Sequence, residues 1–207
     1  MYKVSMVSLG CPKNQVDAEM MLNTLKSAGF EIGTEESEAD AIIINTCGFI
    51  EDAKKEAIEN ILEAAEYKKS GERRALVVPG CLARRYKDDV TEESPEVDVC
   101  VGIGKNGDIA KIVTDALKGE RENVYGEKYE LDLNGGRILG SYPFSTYLKV
   151  ADGCDNCCTY CAIPKIRGRL RSRKIEDCVA EAKRLAEGGV KELTVVAQDT
   201  TAYGEDI

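Results

Sequence analysis

Nine cysteines and no histidine make sulfur-based metal chemistry the first possibility that the sequence raises. Seven of the nine fall into two groups, one spread over residues 11–81 and one confined to residues 154–161. Without histidine, Cys/His zinc fingers, facial triads and histidine-based catalytic triads are excluded, so cysteine must supply most metal ligands. The odd number and the clustering also argue against a disulfide framework. We therefore expect zinc or iron–sulfur clusters held by thiolates.

The first group consists of Cys11, Cys47 and Cys81, each of which follows an apolar run that is typical of a parallel strand. Because the carboxyl ends of parallel strands lie along one edge of an open sheet, these three cysteines should converge there. Each also has a neighbouring glycine, which would let the backbone approach a bulky inorganic group. The alternative is three separate buried thiols, since cysteine fills protein cores readily.

The second group permits two interpretations of its metal. The spacing C-x3-C-x2-C of Cys154, Cys158 and Cys161 leaves one iron of a four-iron cluster without a protein ligand. With Cys157 included, two C-x2-C pairs could instead close on a tetrahedral zinc. We favour the iron–sulfur interpretation, because two pairs with no residue between them leave the chain little room to wrap a tetrahedron.

The number of ligands in each group indicates reactivity rather than electron transfer. Electron-transfer clusters are normally held by four cysteines, whereas each of these groups supplies three. An open coordination position is typical of a site that does chemistry. The remaining two cysteines, Cys100 between valines in a strand-like run and Cys178 on the apolar stripe of a predicted helix, are interpreted as core residues.

Short apolar strands alternate with amphipathic helices from Met1 to about Gly119, which predicts a parallel α/β sheet. The predicted strands are 2–9, 41–44, 75–78 and 97–101. We expect Asp17 and Glu19 in the first turn of the first helix, whose stop signal is Gly29. The predicted buried faces of the three helices are Ala18, Met21, Leu22 and Leu25, then Ile58, Ile61, Leu62 and Ala65 with a stop at Gly71, then Ile109, Ile112, Val113 and Leu117 with a stop near Gly119.

A second unit begins with a predicted strand at 147–150, which leads directly into the second cysteine group. A helix with the face Ile175, Cys178, Val179, Ala182, Leu185 and Ala186 and a strand at 193–197 complete one βαβ unit. An eight-fold α/β barrel needs roughly 200 residues or more, so we expect a truncated barrel domain and hence a fragment. The predicted domains are 1–135 and 136–207, joined through 120–145 with a hairpin at Asn134-Gly135-Gly136.

The charge of the chain bears on its partners. A net charge of −9 and a pI near 4.8 argue against nonspecific binding of nucleic acid. One local exception has a basic residue at every second position, which on an extended segment would form a positive strip: Lys165, Arg167, Arg169, Arg171 and Arg173. A solvated basic edge is the simpler interpretation of that strip. Without a signal peptide or a long apolar run, we expect a cytoplasmic protein that does not contact membranes.

The sequence resembles the methylthiotransferase family of radical S-adenosylmethionine (SAM) enzymes over nearly its whole length. The amino-terminal motifs are Ser8-Leu9-Gly10-Cys11-Pro12-Lys13-Asn14, Asn45-Thr46-Cys47-Gly48-Phe49-Ile50 and Gly80-Cys81-Leu82. The radical SAM motifs are Gly153-Cys154, Cys158, Cys161, Ile163-Pro164, Arg167-Gly168, Ser172-Arg173 and Gln198-Asp199-Thr200. Pro12-Lys13 and Gly48-Phe49-Ile50 are similar to the RimO branch rather than the tRNA-modifying MiaB branch. Cys157 departs from the family pattern, which does not require cysteine there.

The resemblance implies a chemistry, two cofactors and a substrate. A [4Fe–4S] cluster on Cys154, Cys158 and Cys161 would bind and cleave SAM, and an auxiliary [4Fe–4S] cluster on Cys11, Cys47 and Cys81 would hold the sulfur to be transferred. The product implied is a β-methylthiolated aspartate in the twelfth small-subunit ribosomal protein. The alternatives are a tRNA-adenosine methylthiotransferase and a noncatalytic zinc or iron–sulfur module. The resemblance leaves the electron donor and any catalytic acid or base open, and implies that the rest of the barrel and a small carboxy-terminal TRAM domain lie outside these residues.

Overall fold

The computed structural model describes residues 1–69, 74–87, 89–140 and 144–207. The strands are β1 Lys3–Ser8, β2 Glu31–Ile32, β3 Ala41–Asn45, β4 Ala75–Pro79, β5 Val99–Val101, β6 Ser145–Lys149, β7 Ala151–Asp152, β8 Arg171–Ser172 and β9 Glu192–Val196. The helices are α1 Pro12–Ser27, α2 Glu51–Lys69, α3 Cys81–Tyr86, α4 Asp89–Glu93, α5 Ile109–Lys118, α6 Ile163–Ile166 and α7 Ile175–Glu187.

Strands β1 to β5 form one parallel sheet in the order β2-β1-β3-β4-β5, which confirms the predicted α/β class. Every residue of β3 and β4 is buried, as expected for central strands that are covered on both faces. The strand β2 was not predicted, because two residues are too short to show an alternating pattern. The order places β1, β3 and β4 side by side, so the segments that follow these three strands leave the sheet at the same edge.

Helices cover both faces of this sheet and divide its core in two. On one face α1 and α5 pack against alternate strand residues such as Ile43 and Val77. On the other face α2 and α3 pack against Ile42, Ile44 and Leu76. This alternation follows from the two-residue period of side chains along a strand. The three-layer arrangement holds the sheet edge that carries the cysteines in a fixed position.

The second unit is a βαβ unit, as the sequence predicts. Strands β6 and β9 pair in parallel with α7 between them, and β7 pairs with β8 in the antiparallel sense. Cys178 of α7 is buried against Leu148 and Val150, which agrees with its interpretation as a core residue. Ile175 and Val179, predicted on the same buried face, are exposed, because a two-stranded sheet is too narrow to cover the whole face.

Two features of the first helices differ from the prediction. Helix α1 begins at Pro12, so Asp17 and Glu19 lie in its middle, where both are buried, and not in its first turn. The acidic pair was misplaced because carboxylates normally mark the start of a helix and seldom its buried side. In α2 the exposed fractions of Ile58 and Leu62 are 43% and 51%. The buried face of α2 is rotated from the predicted one and consists of Ala57, Ile61, Ala64 and Ala65, while the predicted stop at Gly71 lies outside the described residues.

The predicted hairpin around Asn134 does not form, since residues 131–140 contain no strand. This segment lies against α1 instead: Gly136 is in close contact with Asn23, and the backbone N–H of Ile138 donates to the carbonyl of Glu19. The segment is irregular and packs against the first unit, because the glycines make contact with α1 and do not close a two-strand turn. Within the part of the chain that the structure describes, no helix is long and apolar enough to cross a membrane.

Candidate functional site

The three cysteines of the first group lie at the carboxyl ends of three adjacent strands. Cys11 follows β1 and caps the amino terminus of α1, Cys47 follows β3, and Cys81 follows β4 as the first residue of α3. Cys47 and Cys81 are buried, and Cys11 is partly exposed. The structure therefore brings all three to the sheet edge that the sequence predicts.

Glycines beside these cysteines allow the three segments to touch one another. A Cβ on Gly10 would stand 2.5 Å from Cβ of Cys47 and 3.1 Å from its Sγ. A Cβ on Gly48 would stand 2.9 Å from the backbone N of Leu82 and 3.0 Å from the carbonyl carbon of Cys81. Side chains at these positions would push the cysteine segments apart. The glycines thus bring the thiols together by close backbone packing, in addition to any access that they give to an inorganic group.

Two asparagines that sequence reasoning missed fix the same loops. The Nδ2 of Asn14 donates to the carbonyl of Leu9 at 2.7 Å, and the Nδ2 of Asn45 donates to the carbonyl of Asn14 at 2.9 Å. Asn14 and Asn45 are 1% and 0% exposed, so these bonds satisfy polar groups that water cannot reach. They join the end of β1, the first turn of α1 and the end of β3. In the sequence, only their position inside the amino-terminal motifs indicates that these two asparagines contribute to the site.

The two cysteine groups meet at one cavity of about 1050 Å³. Small-molecule sites commonly measure roughly 300–1,000 Å³, so the volume suffices for an inorganic group together with an organic ligand. Five cysteines line this cavity: Cys11, Cys47, Cys81, Cys154 and Cys161. The cavity wall also includes Lys13, Phe49, Ile50, Arg167 and Gln198.

Cys158 is the predicted ligand that the structure places least well. Cys157 and Cys158 are exposed and share a neighbouring depression with Cys161, and Cys157 has a positive φ of 48°. Over the described ranges, no group of three potential ligands is arranged to hold a single metal ion. A four-iron cluster is wider than one ion and separates its cysteines further. The donor set around the cavity, which consists of thiols on closely packed loops, therefore fits a cluster better than it fits one zinc ion.

The electrostatics around Cys81 oppose a free thiolate. The pKa of the Cys81 thiol is raised to about 11, mainly by burial and in part by the nearby Cys47 and Cys11, although the positive charge of Arg167 lowers it. Because a metal binds the thiolate, loading of this group must displace a proton from Cys81 and should be favoured by a higher pH.

The predicted positive strip does not exist as a surface. Lys165 lies on the short helix α6, and Arg169 is exposed, but Arg167 and Arg173 are buried in ion pairs. The alternation of basic residues arises because some of them neutralise buried carboxylates. This corrects the expectation of a positive strip along one solvated edge.

A Gly10→Ala change should remove the first group's ability to bind metal. The φ of Gly10 is +92°, a region that costs an L-residue about 1–2 kcal/mol, and the new methyl would overlap Cys47. The matched control is Gly29→Ala, because Gly29 has a φ of +89° but open space around it. We expect both variants to lose stability in urea titrations, Gly10→Ala more than Gly29→Ala because of the overlap, while only Gly10→Ala loses about half of the bound iron. Equal iron in the two variants would contradict the packing argument.

Comparison with known proteins agrees with this architecture. Residues 3–102 match an uncharacterised protein family, UPF0004, and residues 148–207 match the radical SAM superfamily. The chain is 50% identical to the ribosomal protein uS12 methylthiotransferase RimO of Pelotomaculum thermopropionicum, over 99% of this chain and 46% of that protein. It is 51% identical to the protein of that name from Syntrophotalea carbinolica, over 99% of this chain and 45% of that protein. The chain thus spans about half the length of the curated relatives it matches.

A solved structure shares the fold at low sequence identity. The radical SAM methyltransferase TsrM from Kitasatospora setae superposes with a TM-score of 0.66 and 13% identity, over 96% of this chain and 48% of that one. The βαβ unit with a cysteine loop behind its first strand agrees with the match of residues 148–207 to the radical SAM superfamily. With about 50% identity along nearly all of its residues, the chain matches about half the length of radical SAM methylthiotransferases of the RimO branch.

Proposed function

We propose that this protein transfers a methylthio group to the β-carbon of an aspartate in the ribosomal protein uS12. The observation that supports this most strongly is the single cavity lined by cysteines of both groups. Methylthio transfer to a carbon atom needs a site that creates a radical and a site that supplies sulfur within reach of one substrate atom. A shared cavity is the arrangement that such a reaction requires.

Each cysteine group has its own part in this proposal. Cys154, Cys158 and Cys161 would hold a [4Fe–4S] cluster and, on its open iron, SAM. Cys11, Cys47 and Cys81 would hold the auxiliary [4Fe–4S] cluster. These cofactors supply the radical and the sulfur chemistry that no side chain can provide. For Cys158 to join the other two ligands, the exposed loop at residues 155–160 must close toward the cavity on loading.

The other residues of the cavity bind, orient and exclude water. The exposed fractions of Phe49 and Ile50 are 44% and 54%, and both residues lie on the cavity wall, where a protein segment could cover them. Gln198 follows β9, and its buried side-chain amide has no hydrogen-bond partner among the described residues, so it is available to a ligand in the cavity. Lys13 provides a positive charge suited to an aspartate carboxylate. Ribosomal proteins are modified in the cytoplasm, and we place the protein there.

The test gives both candidate substrates to one enzyme. The product of the whole reading frame that encodes these residues is incubated with SAM, sulfide, reductant, the ribosomal protein and tRNA, and both substrates are analysed by mass spectrometry. We expect a methylthio mass on one aspartate of the ribosomal protein and unmodified tRNA. The chain's net charge of −9 agrees with this expectation, because tRNA binding needs many cationic contacts. A methylthiolated adenosine with an unchanged protein would assign the sequence to the MiaB branch.

A further inference from the structure

Four charged side chains are buried together between the two units, next to the cavity. Asp17 lies on α1, Lys149 ends β6, Asp152 lies on β7, and Arg167 follows α6. We call these four residues the charged quartet. None of them is more than 2% exposed, and their two negative and two positive charges cancel. The glycine and asparagine contacts that hold the cysteine loops involve none of these charges.

The contacts of the quartet run between the units. Lys149 Nζ bonds Asp17 Oδ1 and lies 3.7 Å from Asp152 Oδ2. Arg167 NH1 donates to Asp152 Oδ2 at 2.9 Å and to Oδ1 at 3.1 Å, and Arg167 NH2 donates to Asp17 Oδ2 at 2.9 Å. Asp17, from the first unit, therefore accepts bonds from two cations of the second unit.

Three members of the quartet lie on the same local segment as a cysteine of one of the two groups. Asp17 lies on the helix that Cys11 caps, and Asp152 stands two residues before Cys154. Arg167 follows the helical turn that begins just after Cys161, and it lines the cavity itself. A displacement of the quartet would therefore move cysteines of both groups.

The quartet joins the two units through charged groups and not through apolar side chains. Buried ion pairs contribute little net stability, because desolvation offsets most of their attraction, and apolar side chains would join the units at lower cost. Charged hydrogen bonds in a fork geometry differ from apolar contacts because they fix direction as well as proximity. A second buried network at this interface joins Arg137 to Glu19 and Glu181, and Glu181 to Arg173.

We propose that the charged quartet is a positioning lock, which holds the two cysteine groups at one separation across the cavity, with Arg167 as its central positioning residue. The lock rests on the proposed function, because only transfer between two sites demands a fixed separation. Arg167 acts through the carboxylates of Asp17 and Asp152, and no bond to substrate is required of it.

Two variants and one matched control test the lock. Arg167→Lys keeps the charge but loses the planar fork that reaches both carboxylates. The double variant Asp17→Leu/Lys149→Met removes the bonds between the units while it leaves the Arg167–Asp152 pair and no excess buried charge. The control is Lys68→Met, which removes a largely buried lysine whose ion pair with Asp98 stays within the first unit.

Three measurements distinguish an effect on the lock from a loss of the clusters. Iron and sulfide analysis of the reconstituted chain measures how many clusters are bound. Electron paramagnetic resonance of the reduced chain reports the spin interaction between the two clusters. Amide hydrogen exchange reports the contact between α1 and β6. For both quartet variants we expect unchanged iron, an altered spin interaction, and exchange in α1 that is about tenfold faster. For Lys68→Met we expect the spectrum and the α1 exchange of the unaltered chain.

Other results would overturn either the lock or the proposed clusters. A spin interaction and an α1 exchange in both quartet variants equal to those of Lys68→Met would overturn the lock. Loss of the fold in both, seen by circular dichroism, would also overturn it, since the quartet would then serve stability alone. An unaltered chain without iron would refute the proposed clusters, and the exchange rates by themselves would then support or overturn the contact between the units.

Discussion

Replacement of Cys11, Cys47 and Cys81 together by alanine is expected to halve the iron content of the reconstituted chain, from about eight to about four atoms. The three residues leave the sheet at one edge, whereas the second group belongs to a different unit with its own ligands. Loss of one cluster should therefore leave the other in place. Iron and acid-labile sulfide are measured after anaerobic reconstitution, and the complementary change at Cys154, Cys158 and Cys161 should remove the other half.

The control for this experiment is Cys100→Ala. Cys100 is fully buried in β5 but lies within the apolar core on the α2 face of the sheet. Its replacement should cost on the order of 1 kcal/mol of packing and leave the iron content unchanged. Unchanged iron in the triple variant would refute the first site, and lost iron in the Cys100 variant would show that the ligand set is wrongly assigned.

Replacement of Arg167 by alanine is expected to lower the free energy of unfolding by about 3–5 kcal/mol, the usual cost of removing one partner from a buried ion pair. Burial opposes the charge of Arg167, but Asp152 and Asp17 raise its pKa well above the usual value. Without the guanidinium, one negative charge of the quartet stays buried and uncompensated. Urea unfolding of the cluster-free chain measures the loss.

The neighbouring Arg169→Ala is the matched control. Arg169 is exposed and lies two residues further on, so its loss should change stability by no more than about 0.5 kcal/mol. If both arginines lay on one solvated strip, as the alternation in the sequence first indicates, the two variants would behave alike. Equal effects would thus contradict the buried quartet.

The quartet also predicts an acid dependence. Burial would raise the pKa of Asp152, but Arg167 and Lys149 hold it below its usual value. A carboxyl whose folded pKa is lowered contributes stability that is complete above its unfolded pKa of about 3.9 and is lost as the pH falls through the folded value. The unaltered chain should therefore lose stability below about pH 4, and Arg167→Ala should show a smaller part of this loss.

The sequence predicted the fold where local patterns determine it. Four apolar runs became the central strands and β5, and the cysteines behind three of them converge because parallel strands end at one edge. The periodicity of α5 and the glycine after it also correctly placed that helix, with Gly119 in the left-handed conformation. These features depend on residues within one or two turns of each other.

The sequence did not predict the contacts that depend on distant partners. Asp17 and Lys149 are 132 residues apart, so nothing near Asp17 shows that its carboxylate is buried. For the same reason the basic residues around Arg167 resembled a solvated strip. The glycines at 135 and 136 predict a hairpin turn, but the segment packs against Asn23 of α1, which no local pattern connects with it. Polar contacts between units are therefore the part of the site that only the structure supplies.

The central claim is that both cysteine groups hold four-iron clusters with one open iron each. Mössbauer spectroscopy of the chain reconstituted with ⁵⁷Fe tests it most directly, because an iron without a cysteine ligand differs from the three that have one. We predict about eight irons in two clusters, with one distinct iron in each cluster, and a shift of one of the distinct irons when SAM is added. A colourless chain that binds zinc in place of iron, or a single cluster held by Cys154, Cys157, Cys158 and Cys161, would contradict the account.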